Sequence, residues 1–74
     1  MITGEQIRRA RFLVKLTQKQ LARAAHVRFE AVERAESSIG EVPLTMAHAA
    51  AIQTALEAAG VEFWGDGVRL KLSR

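Results

Sequence analysis

A threonine followed three residues later by a glutamine occurs twice near the start of this chain, as Thr3-Gly4-Glu5-Gln6 and Thr17-Gln18-Lys19-Gln20. In that spacing the threonine hydroxyl accepts from the backbone N–H three residues on, and the glutamine side chain reaches back to the threonine N–H. The pair therefore marks the first turn of a helix. Two starts so close together leave room for one short helix between them. Ile7, Ala10 and Val14, at i, i+3 and i+7, give that helix an apolar face over about residues 4–14. After the second start, Leu21 and Ala25 share a face with Ala22 beside them. His26 and Val27 then form a tight joint, and Ala31, Val32 and Ala35 make the buried side of a third helix ending near Glu36. Ser37, Ser38, Gly40 and Pro43 mark a loop.

A fourth helix starts after Pro43, with Thr45 as its cap. Ala49, Ile52, Leu56 and Ala59 form its stripe and Gly60 stops it. Beyond Gly60 the period changes to two. Val61-Glu62-Phe63-Trp64, a Gly65-Asp66-Gly67 loop and the alternating Val68-Arg69-Leu70-Lys71-Leu72 read as a β-hairpin at about residues 61–72. A lone hairpin is marginal in water, so its apolar side must rest on the helices or meet a second copy of the chain. The expected fold class is mainly α: a compact four- or five-helix domain over residues 1–74, closed by a C-terminal hairpin.

Composition removes several functions. With 74 residues and no cysteine, the chain has no thiolate nucleophile, disulfide or cysteine-held metal, and its size suits one domain. His26 and His48 are the only histidines and stand apart from any carboxylate cluster, and no serine has a recognisable base; no catalytic residue, metal site, cofactor or small-molecule ligand is expected. No apolar run reaches membrane-spanning length and no secretory leader pattern opens the chain, so the expected compartment is the cytoplasm, with no membrane partner. Met46, Phe12 and Leu16 read as core or core-edge residues. The net charge of +3 is unevenly spread: residues 1–34 hold eight basic and three acidic side chains, net +5, and residues 35–74 hold three and five, net −2. A basic half suits a polyanion, because each phosphate met by Lys or Arg releases counterions.

The stretch from Thr17 to Glu36 reads Thr-Gln-x-x-Leu-Ala-x-x-Ala-x-Val and then x-x-x-x-Val-x-Arg-x-Glu. It resembles the helix-turn-helix of phage-repressor-like (lambda repressor and Cro type, XRE family) transcriptional regulators, over about residues 4–59. The opening Ile2-Thr3-Gly4-Glu5-Gln6-Ile7-Arg8 and the closing Leu56-Glu57-Ala58-Ala59-Gly60-Val61-Glu62-Phe63 are similar to small single-domain bacterial members. The resemblance implies a repressor-like domain with its helix-turn-helix at about 17–36, binding double-stranded DNA as a homodimeric repressor. By the same resemblance Thr17, Gln18 and Lys19, with Ser37 and Ser38, meet the DNA backbone, while Arg28, Phe29, Glu30, Glu33 and Arg34 face base edges. Arg34 then suits guanine, Glu30 or Glu33 a cytosine amino group, and Phe29 a thymine methyl.

Two positions depart from that pattern: family members have glycine at the turn and serine or threonine at the start of the recognition helix, where this chain has His26 and Arg28. Glu30 and Arg34 also stand at i, i+4, the spacing of an ion pair on a solvated helix. The alternative reading is a protein-binding module of the same fold, an antiactivator or antitoxin-like partner with weak or no DNA binding. Phe63, Trp64, Val68 and Leu70 are the candidate dimer interface, Trp64 serving either as a lid over the core or as an interface anchor.

Overall fold

The computed structural model describes residues 2–38, 41–42, 47–65 and 67–71, with Glu41 and Val42 described as backbone. In chain order the elements are β1 (Ile2–Thr3), α1 (Gly4–Leu13), α2 (Gln18–Ala25), α3 (Phe29–Ser37), β2 (Glu41–Val42), α4 (Ala47–Ala58), β3 (Val61–Trp64) and β4 (Gly67–Leu70). The fold is mainly helical with a C-terminal antiparallel hairpin, as the sequence predicts, and four helices lie among the described residues. Pro43, Thr45, Met46 and Leu72, to which the sequence assigns a loop, a cap, a core position and a strand end, lie outside the described residues.

Both threonine–glutamine pairs form complete capping boxes. Gln6 N–H donates to Thr3 Oγ1 at 3.0 Å while Thr3 N–H donates to Gln6 Oε1 at 2.8 Å, and the Thr17–Gln20 pair repeats this at 3.0 and 2.9 Å. Each of the first two helices then ends in the same way. Lys15 and His26 both have φ 59°, and the following N–H groups reach back five residues, Leu16 to the Arg11 carbonyl and Val27 to that of Ala22, each at 3.0 Å. This closure turns the chain sharply and brings the half-buried Leu16 and Val27 onto the core.

The core is formed by Ile7 and Ala10 of α1, Leu21, Ala22 and Ala25 of α2, Val32 and Ala35 of α3, Ala49, Ile52 and Leu56 of α4, with Ile2 and Val61 at its ends. The helical stripes read in the sequence supply most of it. Phe12 departs from expectation: it is 63% exposed, because two positions beyond Ala10 is about 200° around the helix from the core face. Its ring lies under the Arg11 guanidinium at 4.8 Å instead. Ala59 is exposed because α4 ends at Ala58.

The hairpin pairs Val61 with Leu70, Glu62 with Arg69, Phe63 with Val68 and Trp64 with Gly67. Gly67 therefore opens β4 rather than closing a three-residue loop, and Gly65 turns the chain at φ 54°. Gln6 fastens this turn to α1. It is 2% exposed, and its Nε2 donates to the carbonyls of Gly65 at 3.1 Å and Gly67 at 3.0 Å. One side chain thus caps a helix and anchors a hairpin about sixty residues away. The short β1–β2 pair, Ile2 with Val42 and Thr3 with Glu41, falls where the sequence suggests only a cap and a loop; two-residue strands leave no periodicity to read.

At this same start of α1, Gly4 lies against the end of α3. A Cβ there would stand 2.4 Å from the Ala35 carbonyl oxygen and 2.9 Å from that of Glu36, so only glycine allows this approach. Gly4→Ala is expected to lower stability by about 1–3 kcal/mol through overpacking, read as a lower urea midpoint with unchanged slope.

Candidate nucleic-acid interface

The α2–α3 pair is built by its small residues. Leu21, Ala22 and Ala25 on one helix and Val32 and Ala35 on the other are buried, so the two backbones pack closely and their remaining faces are polar. Three residues join the helices. His26 takes the left-handed conformation at φ 59° and ψ 40°, the position expected for glycine, and Arg28 precedes α3 in extended backbone without a side-chain cap. Both departures noted in the sequence are therefore local costs that the fold carries.

The ends of the two helices remote from this joint, the start of α2 and the end of α3, are held together by charge. Arg11 meets Glu36 in a two-pronged ion pair, Nε to Oε2 at 2.8 Å and Nη2 to Oε1 at 3.1 Å, with side chains only 11% and 5% exposed. Every branch of this cluster reaches another segment. Arg11 Nη1 donates to the Leu16 carbonyl at 3.1 Å, Gln18 Nε2 to Glu36 Oε1 at 3.1 Å, and Arg8 Nη1 to the Glu36 carbonyl at 3.3 Å. Burial removes water from these groups, and complementary hydrogen bonds in good geometry replace it. The sequence reading gave neither residue a role. The available signal was Glu36 itself, an acid on the Val32–Ala35 side of a helix that otherwise buries that side.

The residues proposed from sequence to meet DNA occupy three environments. Arg28, Glu30, Glu33, Arg34, Lys19, Ser37 and Ser38 are exposed. Among the described residues the ion pairs are Glu5–Arg9, Arg11–Glu36 and Glu62–Arg69, so Glu30 and Arg34 do not form the i, i+4 pair that their spacing allows. Thr17 and Gln18 are engaged within the protein, the first in its cap and the second on Glu36. Phe29 is half-buried against the core with Lys19 Nζ 5.9 Å from its ring centre, which leaves only part of the ring for another molecule. Ser38 Oγ donates to the Arg34 carbonyl at 2.9 Å and finishes α3.

The four proposed interface residues of the hairpin also divide. Phe63 and Val68 pack half-buried on the chain's own core, whereas Trp64 and Leu70 are 58% and 50% exposed. Trp64 is not a lid. Its ring stands on the opposite face of the hairpin from Val61, with the Arg69 guanidinium 5.2 Å above it.

Among the described residues, no group of three or more His, Asp or Glu side chains is placed to hold a metal ion, and no helix is long and apolar enough to cross a membrane. No protein-family model matches the chain, and no curated protein and no solved structure matches it either.

Two substitutions test this construction. His26→Gly relieves the left-handed strain and is expected to raise stability by about 0.5–1 kcal/mol, net of the entropy glycine adds to the unfolded chain. Glu36→Gln strands the buried Arg11 charge and is expected to cost about 3 kcal/mol, with much of it recovered in Arg11→Met combined with Glu36→Leu; urea unfolding of the single and double variants reads both.

Proposed function

We propose that this chain is a DNA-binding transcriptional regulator that reads the major groove with α3. The observation that carries the reading is the exposed face of α3. Glu30, Glu33 and Arg34 stand there, with Arg28 just before the first turn, all without ion-pair partners among the described residues, on a helix packed against α2. A groove about the width of a helix admits such a face, and Arg and Glu offer complementary patterns to guanine and to the cytosine amino group. Lys19, Arg23, Arg28 and Arg34 exceed the two exposed acids of the helix pair, so phosphate attraction favours the encounter. Thr17, Gln18 and Lys19 at the start of α2, with Ser37 and Ser38 after it in the chain, are proposed to lie along the backbone of the duplex.

The protein is proposed to act as a cytoplasmic homodimer, repressing by occupying its operator. Its longest dimension is 34 Å, close to one turn of DNA, so a single copy places only one recognition helix and a second copy supplies the other half-site. Trp64 is the proposed anchor of that pairing: an exposed tryptophan on the hairpin's outer face offers the large apolar area that interface hot spots use. Trp64→Ala is expected to weaken the dimer at least roughly tenfold in sedimentation equilibrium; an unchanged association constant removes Trp64 from the interface.

The experiment for the reading as a whole is duplex binding by fluorescence anisotropy over a salt series, using the protein's own upstream DNA and a scrambled duplex. Binding is expected to prefer the upstream duplex, to fall with salt by about 0.9 decade per decade for each phosphate contact, and to lose about 1–3 kcal/mol in Arg34→Ala. Equal, weak binding to both duplexes favours the second reading, a protein-binding module of the same fold. Glu30 and Glu33 are the features that would suit such a partner, since two unpaired carboxylates repel a polyanion.

A further inference from the structure

The outer edge of β4 carries backbone groups that β3 does not engage. Lys71 N–H donates to the Gly60 carbonyl at 2.7 Å, so residues 60 and 71 form a hydrogen-bonded pair one step beyond the Val61–Leu70 pair. Antiparallel pairs alternate between bonded and non-bonded, which makes Glu62–Arg69 and Trp64–Gly67 bonded as well. The N–H and C=O groups of Gly67, Arg69 and Lys71 thus point to β3, and those of Val68 and Leu70 point away from it. Among the described residues no group bonds to them, and β3 and β4 form a sheet of only two strands.

The side chains along this edge specify what fits. Leu70 lies opposite the fully buried Val61 on the face that rests on the helices, yet it is 50% exposed, so the apolar side of β4 overhangs its support. Arg69 and Lys71 are exposed and alternate to the other face, the Lys71 ammonium donating to the Glu57 carbonyl near the end of α4 at 3.2 Å in an exposed contact. Arg69 is paired with Glu62 at 2.8 Å, but both side chains are about half in solvent, where such a pair holds little of the charge's attraction.

We infer that this edge of β4 takes an extended segment of a different protein in which acidic and apolar residues alternate, the acids facing Arg69 and Lys71 and an apolar residue covering Leu70. A second copy of β4 fits poorly. Registers that bond Leu70 to its copy, or Leu70 to Val68, set Arg69 against Lys71 or against its own copy, and like charges directly opposite are destabilising. The remaining register, Val68 on its copy, runs the added strand into the turn at Gly65. Charges that repel the chain's own edge attract an acidic strand. The inference is independent of DNA binding by α3.

The test uses a blocked hexapeptide alternating valine and glutamate, compared with one alternating valine and lysine, in an NMR titration of the intact protein. The glutamate peptide is expected to shift and protect the Val68 and Leu70 amides and to bind about tenfold more tightly than the lysine peptide. Lys71→Glu is expected to bring that ratio close to one. Leu70→Pro is expected to abolish binding while the Lys71 amide stays protected, because the lost N–H is not part of the β3–β4 ladder. Equal response to the two peptides, response to neither, or concentration-dependent protection of Val68 and Leu70 without peptide, the mark of a second copy, each overturns the inference.

Discussion

The Glu36 carboxylate accepts from Arg11 and Gln18 where almost no water reaches it, and this one group joins three of the four described helices. Arg11 extends the connection to the α1–α2 turn through the Leu16 carbonyl, and Arg8 reaches the backbone at the end of α3. Hydrophobic contact alone holds small residues such as Ala22, Ala25 and Ala35 together without fixing their orientation sharply, since alanine has no shape to interlock. A bidentate guanidinium–carboxylate pair does have a shape. It sets the angle and register of α3 against α1 and α2, and Gly4, which admits no Cβ beside Ala35 and Glu36, closes the same corner from the other side.

What the sequence reveals divides by range. Helix starts are written within four residues, so both capping boxes and the short helices they open were legible in Thr3, Gln6, Thr17 and Gln20. The stripe of α4 and the two-residue period of the hairpin were legible for the same reason. Contacts between distant segments were not. Nothing local marks Gln6 as the anchor of the Gly65 and Gly67 carbonyls or pairs Arg11 with Glu36, because each needs the fold before the partners meet. Phe12 was misread through residue type: its position on the helix, not its hydrophobicity, decides its exposure. Of the candidate site, the exposed set Arg28, Glu30, Glu33 and Arg34 was legible through the resemblance of residues 17–36 to a helix-turn-helix, whereas the partial burial of Phe29 and the engagement of Gln18 with Glu36 required three dimensions.

The molecule presents two surfaces of different character. The α2–α3 face carries charge on a rigid support and suits a partner read by hydrogen bonds. The hairpin carries Trp64, an overhanging Leu70 and an open backbone edge, and suits partners made of protein. Gln6 links them mechanically, since α1 is fastened to the hairpin turn at its start and to α3 through Arg11 near its end. A small chain can in this way hold the proposed DNA-reading face and the proposed strand-binding edge in fixed relation on a single core.

Whether α3 enters the major groove is decided by amide NMR of the labelled protein with a duplex from its own upstream DNA. Shifts are expected to concentrate at residues 28–34 and at the start of α2, around Thr17, Gln18 and Lys19, with the hairpin tip at Gly65 unmoved by DNA. Perturbations centred on β3 and β4 with α3 silent, or none at any ratio of duplex to protein, would contradict it.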